Sequence, residues 1–283
     1  MKSSNVKWGS ILRIAFLTLW MLFILFPLYW TVITSFKVPT DIYGQPTYIP
    51  GIDFTPTTSA WTYLFGEGKD RFLMGFMNSI LIGLISSFFA LVIGAMAAYG
   101  LARYKYKYGP MRNDDIAFTI LSQRMMPPIV AAIALFIMFR FFGLLDTKLG
   151  MIIIYTWMNI PITVFLLKDY FAGISADLEH AAAIDGYSKF DQIRKIVLPL
   201  AKPGLASAFL LSFIFAWNEF LIALILTFQD AQTFPVFISG LNAQMEPKWS
   251  IISATGVVAI LPPTLIAILM DKYIVSGLLK EQK

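Results

Sequence analysis

The sequence contains no cysteine and only one histidine. The absence of thiols excludes disulfides, zinc–thiolate sites and cysteine nucleophiles. One histidine without a cluster of acidic residues argues against a catalytic metal site and against a Ser-His-Asp triad. The chain also has no G-x-x-x-x-G-K-[ST] phosphate loop, so we do not expect it to bind or hydrolyse ATP. These absences predict that the chain is not an enzyme and binds no cofactor of its own.

The sequence is also poor in charge. Only 14% of the 283 residues are charged, 58% are hydrophobic and the mean hydropathy is +0.70, whereas soluble domains carry about 25% charged residues. A helix that crosses a bilayer needs about 20 apolar residues. Six stretches qualify, at about 11–36, 77–102, 116–142, 149–171, 203–228 and 250–275. The sequence therefore predicts an all-α polytopic membrane protein, with a spanning domain over 11–275 and tails at 1–10 and 276–283.

The distribution of basic residues predicts the orientation. With a cytoplasmic N-terminus, 15 of the 22 Lys and Arg residues lie inside and six outside, while Arg124 falls within a span. Cytoplasmic loops carry the excess of Lys and Arg. Both termini are therefore expected inside, with the 37–76 loop outside and the 172–202 loop in the cytoplasm. The net charge of +5 reflects this topology and does not indicate nucleic-acid binding.

The 177–199 segment is a polar island between two apolar runs. Ser175 can cap a short helix and Gly186 can end it. Ser188, with Asp191 three residues later, predicts a capping box that opens a second helix, and Pro199 is expected to end that helix. A helix-Gly-helix projection of this kind favours docking to a soluble partner.

The spacing within this island resembles the EAA loop of ABC-importer permeases. That pattern is Glu-Ala-Ala, three residues, Gly, nine residues, and Ile-x-Leu-Pro. The chain matches it except that His180 replaces the Glu. The resemblance implies that the loop couples to an ATPase. The implied coupling residues are Glu179, His180, Ala181, Ala182, Asp185, Gly186, Leu198 and Pro199.

The replacement at His180 leaves three explanations open. Neighbouring Glu179 could carry the ionic contact, the ATPase cleft could have changed in compensation, or His180 could pack as a neutral donor and acceptor. A displacement of one residue rotates a helical side chain by about 100°, which disfavours Glu179 as the direct substitute. We therefore expect compensation in the partner.

Four other segments resemble the carbohydrate-uptake branch of these permeases, at 78–79, 97–103, 215–220 and 275–278. The resemblance implies import of a sugar or polyol by alternating access. It also implies a second homologous permease, two cytoplasmic ATPase subunits that bind ATP and Mg, and an extracytoplasmic solute-binding protein. The implied location is the cytoplasmic (inner) membrane, in contact with lipid.

Five residues are candidates for the solute pathway: Arg124, Asn159, Trp217, Asn218 and Glu219. A carboxylate within a span should face protein or water, and Glu219 could serve the pathway or make a structural hydrogen bond. Pro127 and Pro128 are expected to bend the third span. Arg124 just before them could cap the carbonyls that they free, pair with Glu219 or line a cavity. Asn159 precedes Pro161, which marks a possible bend around that cavity.

The alternative function is an ion-coupled secondary carrier that uses Glu219 and Arg124. Such folds usually contain internal repeats, and none is convincing between residues 1–142 and 143–283. A ridge of small residues at Ala90, Gly94 and Ala98 predicts close helix packing in the second span.

Overall fold

The computed structural model describes the backbone of residues 5–242 and 248–278, and the side chains of 9–241 and 248–273. The predicted tails lie largely outside these ranges, as do the side chains of the 275–278 segment. The described residues form thirteen α-helices. They are α1 (Asn5–Thr34), α2 (Pro39–Tyr43), α3 (Ser59–Phe65), α4 (Lys69–Arg103), α5 (Asn113–Ser122), α6 (Pro128–Phe141), α7 (Lys148–Gly173), α8 (Asp177–Ile184), α9 (Lys189–Gln192), α10 (Leu198–Asn218), α11 (Leu221–Leu226), α12 (Phe234–Asn242) and α13 (Trp249–Leu278).

Five described helices are long and apolar enough to cross a membrane: Gly9–Thr34, Lys69–Arg103, Lys148–Gly173, Lys189–Asn218 and Trp249–Tyr273. The third predicted span, at 116–142, is broken. Its halves, Asn113–Met125 and Pro128–Phe141, meet at 84°. Pro127 and Pro128 cause the break because they cannot donate backbone hydrogen bonds and the residue before a proline avoids helical geometry.

The chain divides into two compact units. The first comprises residues 1–70 and 238–260, and the second comprises 71–237 and 261–283. In the first unit, residues 37–70 of the predicted 37–76 loop contain α2, α3 and the start of α4. The Lys37 ammonium is buried there and donates to the Thr47 carbonyl at 2.6 Å.

In the second unit, α4 packs closely against α7. A Cβ built on Gly94 would lie 2.6 Å from Thr163 Cγ2, and Ala90 and Ala98 are fully buried. The predicted small-residue ridge is therefore confirmed as a packing surface.

The expectation that Pro199 ends the second helix of the island is wrong. A π-helical turn, Ile193–Val197, joins α9 to α10, and Pro199 is the second residue of α10. The Leu198 N–H bonds to the Ile193 carbonyl, so the helical register changes just before the proline. Because the first turn of a helix tolerates a missing N–H, Pro199 is accommodated there. The second helix of the island and the fifth span thus form one helix, Lys189–Asn218, which ends at Asn218 rather than at 228.

Candidate coupling region and membrane cavity

The α8–α9 projection is shaped by local chemistry. Ser175 Oγ accepts a hydrogen bond from the Asp177 N–H at 3.2 Å, and α8 ends before Gly186, whose φ is +86°. L-residues with a side chain are disfavoured at that φ. Ser188 Oγ then accepts from the Asp191 N–H at 3.2 Å and opens α9. The predicted helix-Gly-helix shape is present, although the Asp191 carboxylate bonds the Ser188 hydroxyl rather than its backbone.

Glu179 joins this projection to the spans through a buried polar cluster. We call Tyr99, Arg103, Glu179 and Lys189 the Glu179 cluster. The Glu179 carboxylate accepts hydrogen bonds from Tyr99 Oη, Arg103 Nε at 2.6 Å and Lys189 Nζ at 2.9 Å. Its side chain is only 4% exposed. The cluster therefore ties α8 to α4 and α9.

Arg103 extends the cluster to the end of α7. Its two terminal nitrogens donate to the carbonyls of Phe171 and Ile174, each at 2.8 Å. These carbonyls lie where α7 ends, so Arg103 supplies partners that the helix lacks. Burial by itself raises the pKa of Glu179, but the hydrogen bonds from Lys189, Tyr99 and Arg103 leave it below its ordinary value. Glu179 is thus a buried carboxylate held in its ionised form.

The predicted coupling residues divide into a buried and an exposed set. Glu179 and Ala182 are buried within the chain, so Glu179 cannot replace the missing contact at His180. His180 has a side chain 77% exposed, with Nδ1 3.9 Å from Asp177. The exposed predicted set is His180, Ala181, Asp185, Gly186, Leu198 and Pro199.

Sequence reasoning missed two apolar members of this exposed surface. Ile184 is 88% exposed and Phe190 is 70% exposed. Large apolar side chains that remain in water next to polar neighbours mark interaction sites. Their position on either side of Gly186 could have suggested this from the sequence, because both fall within the polar island.

The broken third span opens onto a cavity. Arg124, Asn159 and Glu219 line a space of about 170 Å³ together with Tyr155 and Phe215. An adjoining space of about 180 Å³ is lined by Arg124, Trp157 and Pro161, among others. Three of the five predicted pathway residues therefore meet at one place.

Arg124 is held over an aromatic ring and against the bend of α7. Its guanidinium carbon lies 4.0 Å from the Phe215 ring centroid. One terminal nitrogen donates to the Met158 carbonyl at 2.9 Å and contacts Asn159 Oδ1 at 3.4 Å. Arg124 thus caps a carbonyl of α7 near Pro161 instead of one in its own span. Among the described residues, it forms no ion pair with Glu219 or any other carboxylate.

Glu219 has a structural role of its own. Its carboxylate accepts from the N–H groups of Ile222 at 2.9 Å and Ala223 at 3.1 Å, and from Tyr155 Oη at 2.8 Å. A carboxylate at this place satisfies the free N–H groups of the first turn of α11 and complements its dipole. Glu219 therefore begins α11 while it lines the cavity.

The other two predicted pathway residues lie elsewhere. Trp217 is 3% exposed and packs against Phe76, Phe213 and Phe234, with ring centroids 5.8 to 5.9 Å apart. Asn218 donates to the carbonyl of Ile214 on its own helix at 2.8 Å. Adjacent residues on a helix do not share a face, so the run 217–219 is split between the core and the cavity.

Asp146 forms a further anchor that sequence reasoning missed. Its φ is +54°, and its carboxylate accepts four hydrogen bonds, each 3.0 Å, from the N–H groups of 228–231. Asn78 donates to the carbonyls of Asp230 and Gln232 in the same loop, and Ser79 accepts from the Phe234 N–H. The loop after α11 is therefore fixed by side chains distant in sequence. Within the described part of the chain, no group of His, Asp or Glu is placed to hold a metal ion.

Comparison with known proteins decides the family. Residues 90–280 match the family described as binding-protein-dependent transport system inner membrane component. The chain belongs to this family. It is an inner-membrane, multi-pass permease component of an ABC importer, as the EAA-type spacing predicted, and the ion-coupled carrier alternative is not favoured.

Members of the family align along most of the chain. The sulfoquinovosyl glycerol transport system permease protein SmoH of Agrobacterium fabrum is 32% identical over 256 residues, covering 90% of this chain and 87% of that protein. The trehalose transport system permease protein SugB of Mycobacterium tuberculosis is 37% identical over 257 residues, with 90% of each chain covered. A crystal structure of a bacterial ABC transporter that imports the acidic polysaccharide alginate contains a chain with a TM-score of 0.74 and 22% identity. That alignment covers 96% of this chain and 99% of the other, and it supports the all-α permease fold.

Proposed function

We propose that this permease imports a sugar or polyol. The observation that carries the proposal is the joint presence of an exposed α8–α9 projection and a polar, aromatic-lined cavity, joined by one helix from Lys189 to Asn218. The names of the relatives above include trehalose and a sulfoquinovosyl glycerol, which are both sugar-containing solutes.

In this proposal the cavity is part of the solute pathway. A sugar needs fixed hydrogen-bond donors and acceptors together with an aromatic face. Arg124 and Asn159 supply polar groups, and Trp157 and Phe215 supply rings. Glu219 would act mainly by fixing α11, because its carboxylate already accepts three hydrogen bonds.

The exposed surface of α8–α9 would dock into a cleft on one of two cytoplasmic ATPase subunits, which bind ATP and Mg. Ile184 and Phe190 offer apolar contact area there, and the Glu179 cluster holds the projection against α4 and α7. Closure of the ATPases would then draw the spans from the inward-open to the outward-open state largely as rigid bodies. A second homologous permease would complete the pathway, and an extracytoplasmic solute-binding protein would deliver the solute. Both termini would lie in the cytoplasm, in agreement with the excess of Lys and Arg there.

Reconstitution in proteoliposomes tests the proposal. The complex of this chain, its companion permease and the ATPase is supplied with binding protein and with radiolabelled trehalose, maltose or a polyol such as sorbitol. We expect uptake that requires ATP, hydrolysis that rises with loaded binding protein, and no loss of uptake when ionophores collapse ion gradients. Uptake that persists with an inactive ATPase and disappears with the ionophores would contradict the proposal.

A further inference from the structure

The first unit contains a groove that the transport cycle above does not use. A cavity of about 490 Å³ is lined by Trp30, Thr34, Tyr43, Trp249 and Ser253, among others. An adjoining cavity of about 290 Å³ shares Tyr43 and Trp249 with it and continues to Tyr63 and Ser59. Small-molecule sites typically occupy about 300–1,000 Å³. We call the two cavities together the aromatic groove.

Two aromatic side chains stand where the cavities join. Trp249 is 41% exposed and Tyr43 is 62% exposed, so both keep ring surface in contact with the groove. Trp30 serves as a wall, because Lys37 Nζ lies 4.2 Å from its ring centroid and Tyr48 packs on it at 5.5 Å. An aromatic face beside water is apolar at its centre and attracts the positively polarised C–H groups of a pyranose ring.

The groove is also lined by hydroxyl groups. Ser253 lies beside Trp249 in the larger cavity, and Ser59 lies beside Tyr63 in the smaller one. The combination of exposed rings and hydroxyl groups suits a saccharide better than a lipid chain.

We propose that the aromatic groove binds a mono- or disaccharide on the face of the permease that carries the 37–76 loop. A sugar would stack on Trp249 and Tyr43 and hydrogen-bond to Ser253 Oγ. The proposal rests on the function proposed above, because sugar import and an extracytoplasmic 37–76 loop make this groove a receiving site. It concerns residues other than those of the Arg124 cavity.

Saturation-transfer-difference NMR tests the site on the purified importer complex without solute-binding protein or nucleotide. The probes are trehalose, maltose and diacetylchitobiose. We expect at least one of them to bind, with a Kd that rises about three- to tenfold in Trp249→Ala and by a similar factor in Ser253→Ala. Trp249→Phe keeps a ring and should stay within about twofold of wild type. Trp20→Ala is the matched control, because Trp20 is an exposed tryptophan of α1 that does not line the groove.

Three results would overturn the proposal. The first is that no probe gives a signal that depends on Trp249. The second is an equal loss in Trp20→Ala. The third is release of the companion permease from Trp249→Ala during purification, which would make the groove a subunit interface. If the wild-type complex shows ATP-dependent sugar uptake while any of these results is obtained, only the groove assignment fails. Absence of uptake in the wild type would instead contradict the proposed function.

Discussion

Replacement of Glu179 by Gln tests whether the Glu179 cluster transmits force between the ATPase and the spans. The substitution keeps the size of the side chain but removes its charge. It leaves Arg103 and Lys189 without their counter-ion in the cluster. We expect the complex to assemble in the membrane but to be less stable, with ATP hydrolysis partly uncoupled from uptake.

The size of the expected loss of stability follows from how deeply Glu179 and its partners are buried. The side chains of Glu179 and Arg103 are 4% and 10% exposed, and loss of one member of such a buried pair costs about 3–5 kcal/mol. Lys189 is 46% exposed, so water compensates most of its loss. Arg103 also keeps its bonds to the Phe171 and Ile174 carbonyls. The expected loss of stability is therefore near the lower end, about 3 kcal/mol.

The assay compares thermal unfolding of the complex with the ratio of sugar imported to ATP hydrolysed. Asp177→Asn is the matched control, because it also removes a carboxylate from α8. The side chain of Asp177 is 97% exposed. Glu179→Asp keeps the charge and should restore part of the coupling. If Glu179→Gln unfolds and couples like Asp177→Asn, the cluster has no role in coupling.

The pH dependence of this effect has a definite sign. Because the pKa of Glu179 is below its ordinary value of 4.5, the ionised cluster stabilises the fold fully above that value. The stabilisation is lost only when pH falls through the lower pKa of the folded state. Glu179 should therefore leave coupling constant between about pH 6 and 8.

Three further substitutions probe the other site residues. Gly186→Val should destabilise the turn after α8 by about 1–2 kcal/mol, because the φ of this residue is +86°. The variant should still insert into the membrane but dock poorly to the ATPase, whereas Gly186→Asn should have a milder effect. Wild-type coupling in Gly186→Val would refute this. The Glu219→Gln variant should assemble but show higher basal ATP hydrolysis. The reason is that the charge-assisted hydrogen bonds at the start of α11 become weaker by about 1–2 kcal/mol. Unchanged uptake and basal hydrolysis would show that the charge is dispensable. His180→Glu should leave thermal stability unchanged, because the side chain is 77% exposed. It should nevertheless lower substrate-stimulated ATP hydrolysis with the native ATPase. Equal or better coupling would exclude a compensating change in the partner.

The shape of the coupling region could be predicted because its determinants are local. Gly186 and Ser188 act on their own backbone or on residues two or three positions away. The burial of Glu179 could not be predicted in this way, because its partner Arg103 is 76 positions distant. A sequence pattern places both residues near the ends of helices but does not join them.

For the cavity, too, local features could be predicted from the sequence, whereas contacts between distant residues could not. The prolines at 127 and 128 predicted the break in the third span. Arg124, Asn159 and Glu219 are candidates for the solute pathway because they are polar residues within spans, and all three line the same cavity. Trp217 could not be separated from its neighbour Glu219 by composition, since its burial depends on Phe76 and Phe234 from other helices. Pairing of Arg124 with Glu219 is one of the three alternatives that the sequence leaves open, and it rests on charge alone. The first turn of α11 offers Glu219 nearer donors.

The continuity of α9, the π-helical turn and α10 has a mechanical consequence. Thirty residues at about 1.5 Å each make a rod of about 45 Å, with Lys189 of the Glu179 cluster at one end and the cavity wall at the other. When such a rod tilts about one end as one body, a rotation of about 5° moves the other end by about 4 Å. With α8–α9 docked to the ATPase as proposed above, a small adjustment at that end would be amplified at the cavity wall. Had Pro199 broken the helix, as the sequence suggested, this amplification would be lost in a flexible joint.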